Sequence, residues 1–158
     1  MNKILFQKLS KNLMALNETV AVAESVTAGL VLNHLSRAEN ATKFLQGGIV
    51  AYNLGQKARH LHVNPILADA ANCVSEEIAI EMAKGVSLKF CSHWGLAITG
   101  YAVPVPALNV KSCFAYYAFV RNSDVVRSSR FDTRLRGQVR VQQYYVDNLL
   151  STFIEHIK

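Results

Sequence analysis

Apolar positions in the first sixteen residues recur at helical spacing. Leu5, Leu9, Leu13 and Leu16 fall on one stripe, which predicts a helix over Met1–Leu16. The pattern then changes. "TVAVA" (Thr19–Ala23) is a run of small and branched apolar residues, as expected of a short buried strand. Helical spacing returns over Thr27–Arg37, with Leu30, Val31 and Leu35 directed inward. "GGIVAY" (Gly47–Tyr52) predicts a second strand entered through paired glycines. A short helix over Asn53–His60 follows, and Pro65 is expected to break the chain. Ser75 stands where it can cap a helix reaching Phe90, with Glu76 and Glu77 in the first turn where the helix dipole favours them. "WGLAIT" (Trp94–Thr99) is a third strand. Gly100–Lys111 holds two of the three prolines and no periodic pattern, so it reads as a loop. "CFAYYAFV" (Cys113–Val120) and Val125–Phe131 form an antiparallel pair joined through "RNSD". A long helix over Arg136–Ile157 closes the chain, with Val139, Val146, Leu150, Phe153 and Ile157 near one stripe.

Helices alternate with strands for two thirds of the chain and a hairpin follows. This predicts a single domain, residues 1–158, of three-layer α/β/α architecture on a mixed β-sheet. In such sheets ligands bind beyond the carboxyl ends of the strands. Three polar loops are expected there, after Ala23, after Tyr52 and after Thr99. The 158 residues suit one sizeable core, and 51% hydrophobic with 18% charged residues is a globular balance. The apolar runs are too short to span a bilayer, and polar residues interrupt the N-terminal stretch throughout, unlike a signal peptide. A cytoplasmic location and no membrane partner are the expectations. Cys73, Cys91 and Cys113 are odd in number and form no CxxC, so neither a disulfide framework nor a metal site is predicted, and each cysteine is expected to pack as a small hydrophobe.

The formal charge of +6 suits an anionic partner, either a phosphate-bearing small molecule or nucleic acid. Arg121, Arg127, Arg130, Arg134, Arg136 and Arg140 all fall in the last third. Such a run reads as a solvated face or as a binding surface.

Candidate chemistry begins at "AESVTAG". Ser25 follows a strand and precedes a helix, where free backbone N–H groups can hold an oxyanion or a phosphate. It is either a helix cap or a nucleophile. A serine nucleophile needs a base, and His34, His60, His62, His93 and His156 stand in no recognisable triad motif. A desolvated lysine is the other option. Lys57 lies five residues after Tyr52, a spacing that lets both reach one cleft. Read alone, Lys57 is better taken as an ordinary solvated helix residue.

"AESVTAG", "GGIVAYNLGQKARHLHV", "VSEEIAIEMAKG" and "LAITGYA" follow one another in the order and spacing of the CinA C-terminal domain family, which the chain resembles from about Lys8 to Phe153. That family includes competence- and damage-inducible proteins and nicotinamide mononucleotide deamidases. The resemblance implies a metal- and cofactor-independent hydrolysis of a nicotinamide carboxamide to the acid and ammonia, through an acyl-enzyme. The serine of the family's AESCTGG falls on Ser25 as nucleophile, its lysine on Lys57 as general base, and its tyrosine on Tyr52 as an orienting or relaying group. Backbone amides near Thr27 are the implied oxyanion hole. The family's SGIAGP loop falls on Thr99, Gly100, Tyr101, Ala102, Val103 and Pro104 and would shape the nucleotide pocket. Its late basic motif, GDR followed by VR, falls on Arg134, Leu135, Arg136, Val139 and Arg140, making Arg136 and Arg140 candidates for the substrate phosphate. Related domains often self-associate, so a homodimer is expected, with "CFAYYAFV" either an interface or core.

The departures are specific. Val26 replaces cysteine, Ala28 and Val103 replace glycines, and Leu135 replaces aspartate. Ala28 is mild in a helical backbone and costly at φ > 0. Three readings follow: a serine–lysine amidohydrolase of a pyridine nucleotide, a non-catalytic nucleotide-binding domain with a remodelled pocket, and a basic nucleic-acid binder. No recognised nucleic-acid motif supports the third.

Overall fold

A computed structural model describes residues 3–158, with side chains from Phe6 onward. The chain runs α1 (Lys3–Leu16), β1 (Val20–Glu24), α2 (Leu30–Leu35), α3 (Ala41–Phe44), β2 (Leu45–Val50), α4 (Leu54–Leu61), α5 (Pro65–Ala70), α6 (Glu76–Lys89), β3 (Trp94–Tyr101), β4 (Cys113–Arg121), β5 (Asp124–Thr133) and α7 (Gln138–His156). The five strands form one mixed sheet in the order β2-β1-β3-β4-β5. β1 pairs in parallel with β2 and β3, while β4 runs antiparallel to β3 and β5.

Strand alternation assigns the two faces. One face carries Val20, Val22, Trp94, Leu96, Ile98, Tyr117 and Phe119 and packs with Leu9 and Leu13 of α1, Val31 and Leu35 of α2, and Tyr145, Leu149 and Phe153 of α7. The other carries Ala21, Ala23, Ala97, Ala118 and Val120 and packs with Leu61 of α4, Ala68 of α5, and Ile78, Met82 and Val86 of α6. The small residues on that second face let α6 lie close. A Cβ on Gly95 would stand 2.0 Å from the Ala83 carbonyl oxygen. These are the three layers expected. Two cores, one of large side chains from both sheet and helices and one of helix side chains on an alanine-rich face, supply the burial that drives folding.

Several boundaries differ from the pattern-based expectation. Thr27–Gly29 is a turn, not helix, because Ala28 and Gly29 have φ of 52° and 96°, so α2 begins only at Leu30. Pro65 starts a helix instead of ending one. It takes the first-turn position where its missing N–H costs nothing, and the Asn64 side chain caps Ile66 and Leu67. β2 stops at Val50, which leaves Ala51 and Tyr52 in the loop. β3 runs on to Tyr101. The following loop holds a 3-10 turn at Pro106–Leu108 inside a Val105–Val110 bridge. Val139, expected inward, is 75% exposed, and burial along α7 begins at Val141. Of the N-terminal stripe, Leu9 and Leu13 are buried; Met1, Asn2 and the Leu5 side chain lie outside the described residues. Cys113 is buried, but Cys91 is exposed and Cys73 half-buried. The aromatic strand β4 lies between β3 and β5, with Cys113, Ala115, Tyr117 and Phe119 in one core and Ala118 and Val120 in the other.

Candidate active site

The order β2-β1-β3 places the chain reversal of the parallel strands between β1 and β3. The connection after β1 crosses one face through α2, and the connection after β2 crosses the other through α4 to α6. A crevice opens at the carboxyl ends where they diverge. Ser25 is the residue after β1, and its backbone N–H donates to the Ile98 carbonyl of β3 at 3.1 Å.

"AESVTAG" divides its polar work. Glu24 ends β1 with a buried carboxylate. Its Oε2 accepts from Thr27 Oγ1 at 2.6 Å and from the Gly29 and Val31 amides at 3.0 Å, and its Oε1 accepts from the Leu32 amide at 2.9 Å. Glu24 therefore satisfies the free N–H groups at the start of α2, and its charge faces the positive end of that helix. Thr27, fully buried, is turned inward to Glu24, so its hydroxyl does not line the crevice. With capping done by Glu24, Ser25 is left for another partner. Lys57 Nζ donates to Ser25 Oγ at 3.0 Å and to the Ala51 carbonyl at 2.7 Å. Among the described residues the Val26 and Thr27 amides, unlike those of Ser25 and Ala28, donate to no protein acceptor. Gln142 of α7 holds this turn from behind by donating to the Val26 carbonyl at 2.8 Å.

Lys57 sits on α4, whose N-terminus is capped by Asn53 Oδ1 accepting from the Gln56 amide. Its side chain is 1% exposed, and no carboxylate pairs with it among the described residues. Burial lowers its pKa from the ordinary lysine value, with a smaller opposing effect from the nearby Cys73 thiol. An unpaired, desolvated amine on a serine hydroxyl has the geometry that general-base chemistry requires. No histidine lines this cavity.

The cavity measures about 310 Å³ and is walled by Ser25, Val26, Tyr52, Lys57, Asn72–Val74, Thr99–Val103, Leu108 and Gln138. Tyr52 is 61% exposed at its mouth and makes no hydrogen bond to Ser25 or Lys57. Thr99 donates through Oγ1 to the Cys73 carbonyl at 2.8 Å. Gly100 forms a wall against β4, where a Cβ would meet the Phe114 carbonyl oxygen at 2.4 Å. Tyr101 accepts at its hydroxyl from Asn72 Nδ2 and at its carbonyl from the Tyr145 hydroxyl. Burial raises the Tyr145 pKa. Arg136 lines an adjacent cavity, while Arg140 is exposed and lines neither. Ser25, Lys57, Tyr52, Thr99, Gly100 and Tyr101 are thus brought together; Thr27 contributes backbone only.

Asn72, Cys73 and Gln138 join the site without having been expected. Asn72 and Cys73 follow α5 in left-handed backbone, φ 52° and 62°, a turn hidden from sequence by the assumption that Pro65 ends regular structure. Gln138 and Gln142 are four apart at the start of a helix, a polar pair on one face that was visible. Among the described residues no three His, Cys, Asp or Glu side chains converge as ligands for a metal.

A mixed-sheet α/β/α domain with a serine–lysine pair at its topological switch is the class this geometry defines. The model of the CinA C-terminal domain matches residues 2–155, and the chain belongs to that family. A CinA-like protein of Thermosynechococcus vestitus is 38% identical over 136 residues, covering 84% of this chain and 32% of that one. A CinA-like protein of Prochlorococcus marinus is 35% identical over 103 residues, covering 65% and 24%. The chain thus spans a third or less of these curated relatives. Among solved structures, the competence-damaged protein (CinA) superfamily protein of Klebsiella pneumoniae superposes with a TM-score of 0.90 at 22% identity, covering 99% of this chain and 98% of that one. The superfamily protein of Escherichia coli gives 0.85 at 25% identity, covering 96% and 88%.

Proposed function

We propose that the protein is a serine–lysine amidohydrolase that cleaves the carboxamide of nicotinamide mononucleotide or a related pyridine nucleotide. The observation that carries this reading is the 3.0 Å contact between Ser25 Oγ and the buried, carboxylate-free Lys57 Nζ. Neutral Lys57 keeps one N–H on the Ala51 carbonyl and offers its lone pair to the Ser25 hydroxyl. Ser25 Oγ attacks the carboxamide carbon as Lys57 takes the proton. The Val26 and Thr27 amides face the developing oxyanion. Lys57 returns the proton to the departing nitrogen, ammonia leaves, and an ester to Ser25 remains. Water, deprotonated by Lys57, attacks that ester, and Lys57 returns the proton to the departing Ser25 Oγ, which releases the acid and restores both residues. Tyr52 at the mouth orients the ring, Thr99–Tyr101 wall the pocket, and Arg136 at the basic rim answers the phosphate.

The test is ammonia release from nicotinamide mononucleotide by wild type and Ser25→Ala. The expected outcome is a loss of about 10³-fold or more with an unchanged melting profile. Release that survives the substitution removes Ser25 as nucleophile. No release from either protein, with the fold intact, turns the reading to a nucleotide-binding domain.

A further inference from the structure

A second cavity, about 630 Å³, adjoins the one that holds Ser25 and Lys57, and Ala102 and Val103 line both. Its charged lining is of one sign: Lys111, Arg134 and Arg136, with no aspartate or glutamate. All three cations are exposed, and none is in an ion pair among the described residues. By contrast, Arg121 is paired with Glu18 and Arg130 with Asp132. Gly137, in the same wall, is the N-cap of the 19-residue α7 and offers no side-chain cap. The positive end of that helix therefore adds to the three cations. Gln138, the next residue, lines the smaller cavity, so one helix start borders both.

The sizes decide what such a pair can take. Small-molecule pockets run to roughly 300–1,000 Å³. The smaller cavity, about 310 Å³, suits a pyridine ring and its ribose. One phosphate answers Arg136 and leaves most of the larger cavity, and two of its cations, unused.

We propose that the larger cavity holds the pyrophosphate and second nucleoside of a dinucleotide, with the pyridine end at Ser25. Lys111, Arg134 and Arg136 bind the pyrophosphate, and Val103 stands where the ligand passes between the two compartments. The pyridine end rests on the amidase reading. The dinucleotide end rests on the second cavity alone.

The experiment is calorimetric titration of Ser25→Ala protein, which prevents turnover, with nicotinamide adenine dinucleotide and with nicotinamide mononucleotide. It is repeated in the Lys111→Ala/Arg134→Ala background. Both added positions are exposed, so the fold is expected to persist, and a melting curve checks it. The dinucleotide is expected to bind at least about tenfold more tightly than the mononucleotide, since a single charge-assisted contact is worth about that factor. The double substitution is expected to reduce the margin to less than about threefold. Equal affinities in the starting protein overturn the proposal, as does a margin that survives the double substitution. Ammonia release from the mononucleotide by the wild-type protein, without dinucleotide preference in Ser25→Ala, upholds the amidase and overturns the second site. Dinucleotide preference in Ser25→Ala, without ammonia release by the wild type from either ligand, does the reverse.

Discussion

Glu24, Ser25 and Thr27 look alike in sequence, as polar residues between a strand and a helix, yet their surroundings give them different work. Glu24 spends its carboxylate on three backbone amides and on Thr27. That frees Ser25 to meet Lys57. Lys57 is fully enclosed, and removal from water disfavours its charged form. On the proposed mechanism Lys57 must be neutral to act as base, so activity is expected to rise with pH through the Lys57 pKa and to level above it. The acid limb of the kcat/KM profile is expected to inflect below the ordinary lysine value of 10.5. An inflection at or above that value would exclude Lys57 as the base. Ala28 shows the opposite economy. Its φ of 52° is left-handed backbone, where a Cβ costs about 1–2 kcal/mol. Ala28→Gly is therefore expected to raise stability by about 1 kcal/mol, read as a higher urea midpoint. A lower midpoint would mean that the methyl group's packing outweighs the strain.

The serine and the lysine arrive on different elements, and their contact depends on how α4 is seated. α4 lies on α6 at Gly85, where an added Cβ would stand 2.0 Å from the Leu61 carbonyl oxygen. Backbone cannot yield there as a flexible side chain can. Gly85→Ala is expected to push α4 outward, costing about 1–3 kcal/mol of stability and, on the proposed mechanism, slowing ammonia release by moving Nζ away from Ser25. Normal activity with lowered stability would show that α4 relocates as a unit with its loop. α2 makes a related point. Its six residues are too few to hold a helix alone, and the Glu24 caps with burial of Val31 and Leu35 sustain it.

The excess of positive charge belongs to the whole molecule, and the fold distributes it. Arg121 binds Glu18, which also accepts from the Trp94 indole at 2.6 Å. Arg130 lies 3.9 Å over the Phe114 ring and pairs with Asp132. Arg134 and Arg136 border the larger cavity. Four of the six arginines are thus divided among an ion pair beside Trp94, an aromatic face and a pocket, while Arg127 and Arg140 are exposed. Mobility shift with a short DNA duplex at low salt is expected to show no complex at micromolar protein. A complex whose affinity falls steeply with salt would reverse that. No described helix is long and apolar enough to cross a membrane.

Periodicity alone placed the strands and the long helices, because alternation and the 3.6-residue stripe follow from which side chains leave water. The layered architecture followed from their order. Ser25 and Lys57, 32 residues apart, were readable as a pair only by resemblance. Nothing local in "NLGQKARHL" says that Lys57 is enclosed, since its burial comes from how α4 packs beside the turn after β1. The turn at Thr27–Gly29 and the helix that Pro65 opens are set by local polar contacts that apolar patterning does not report, the Glu24 carboxylate three residues before Thr27 and the Asn64 cap on Ile66, whereas the left-handed Asn72–Cys73 wall is held by Thr99 of β3. Pattern reports how each segment divides itself between water and core. Which polar groups then meet inside is decided by packing between segments, and the site is made of those meetings.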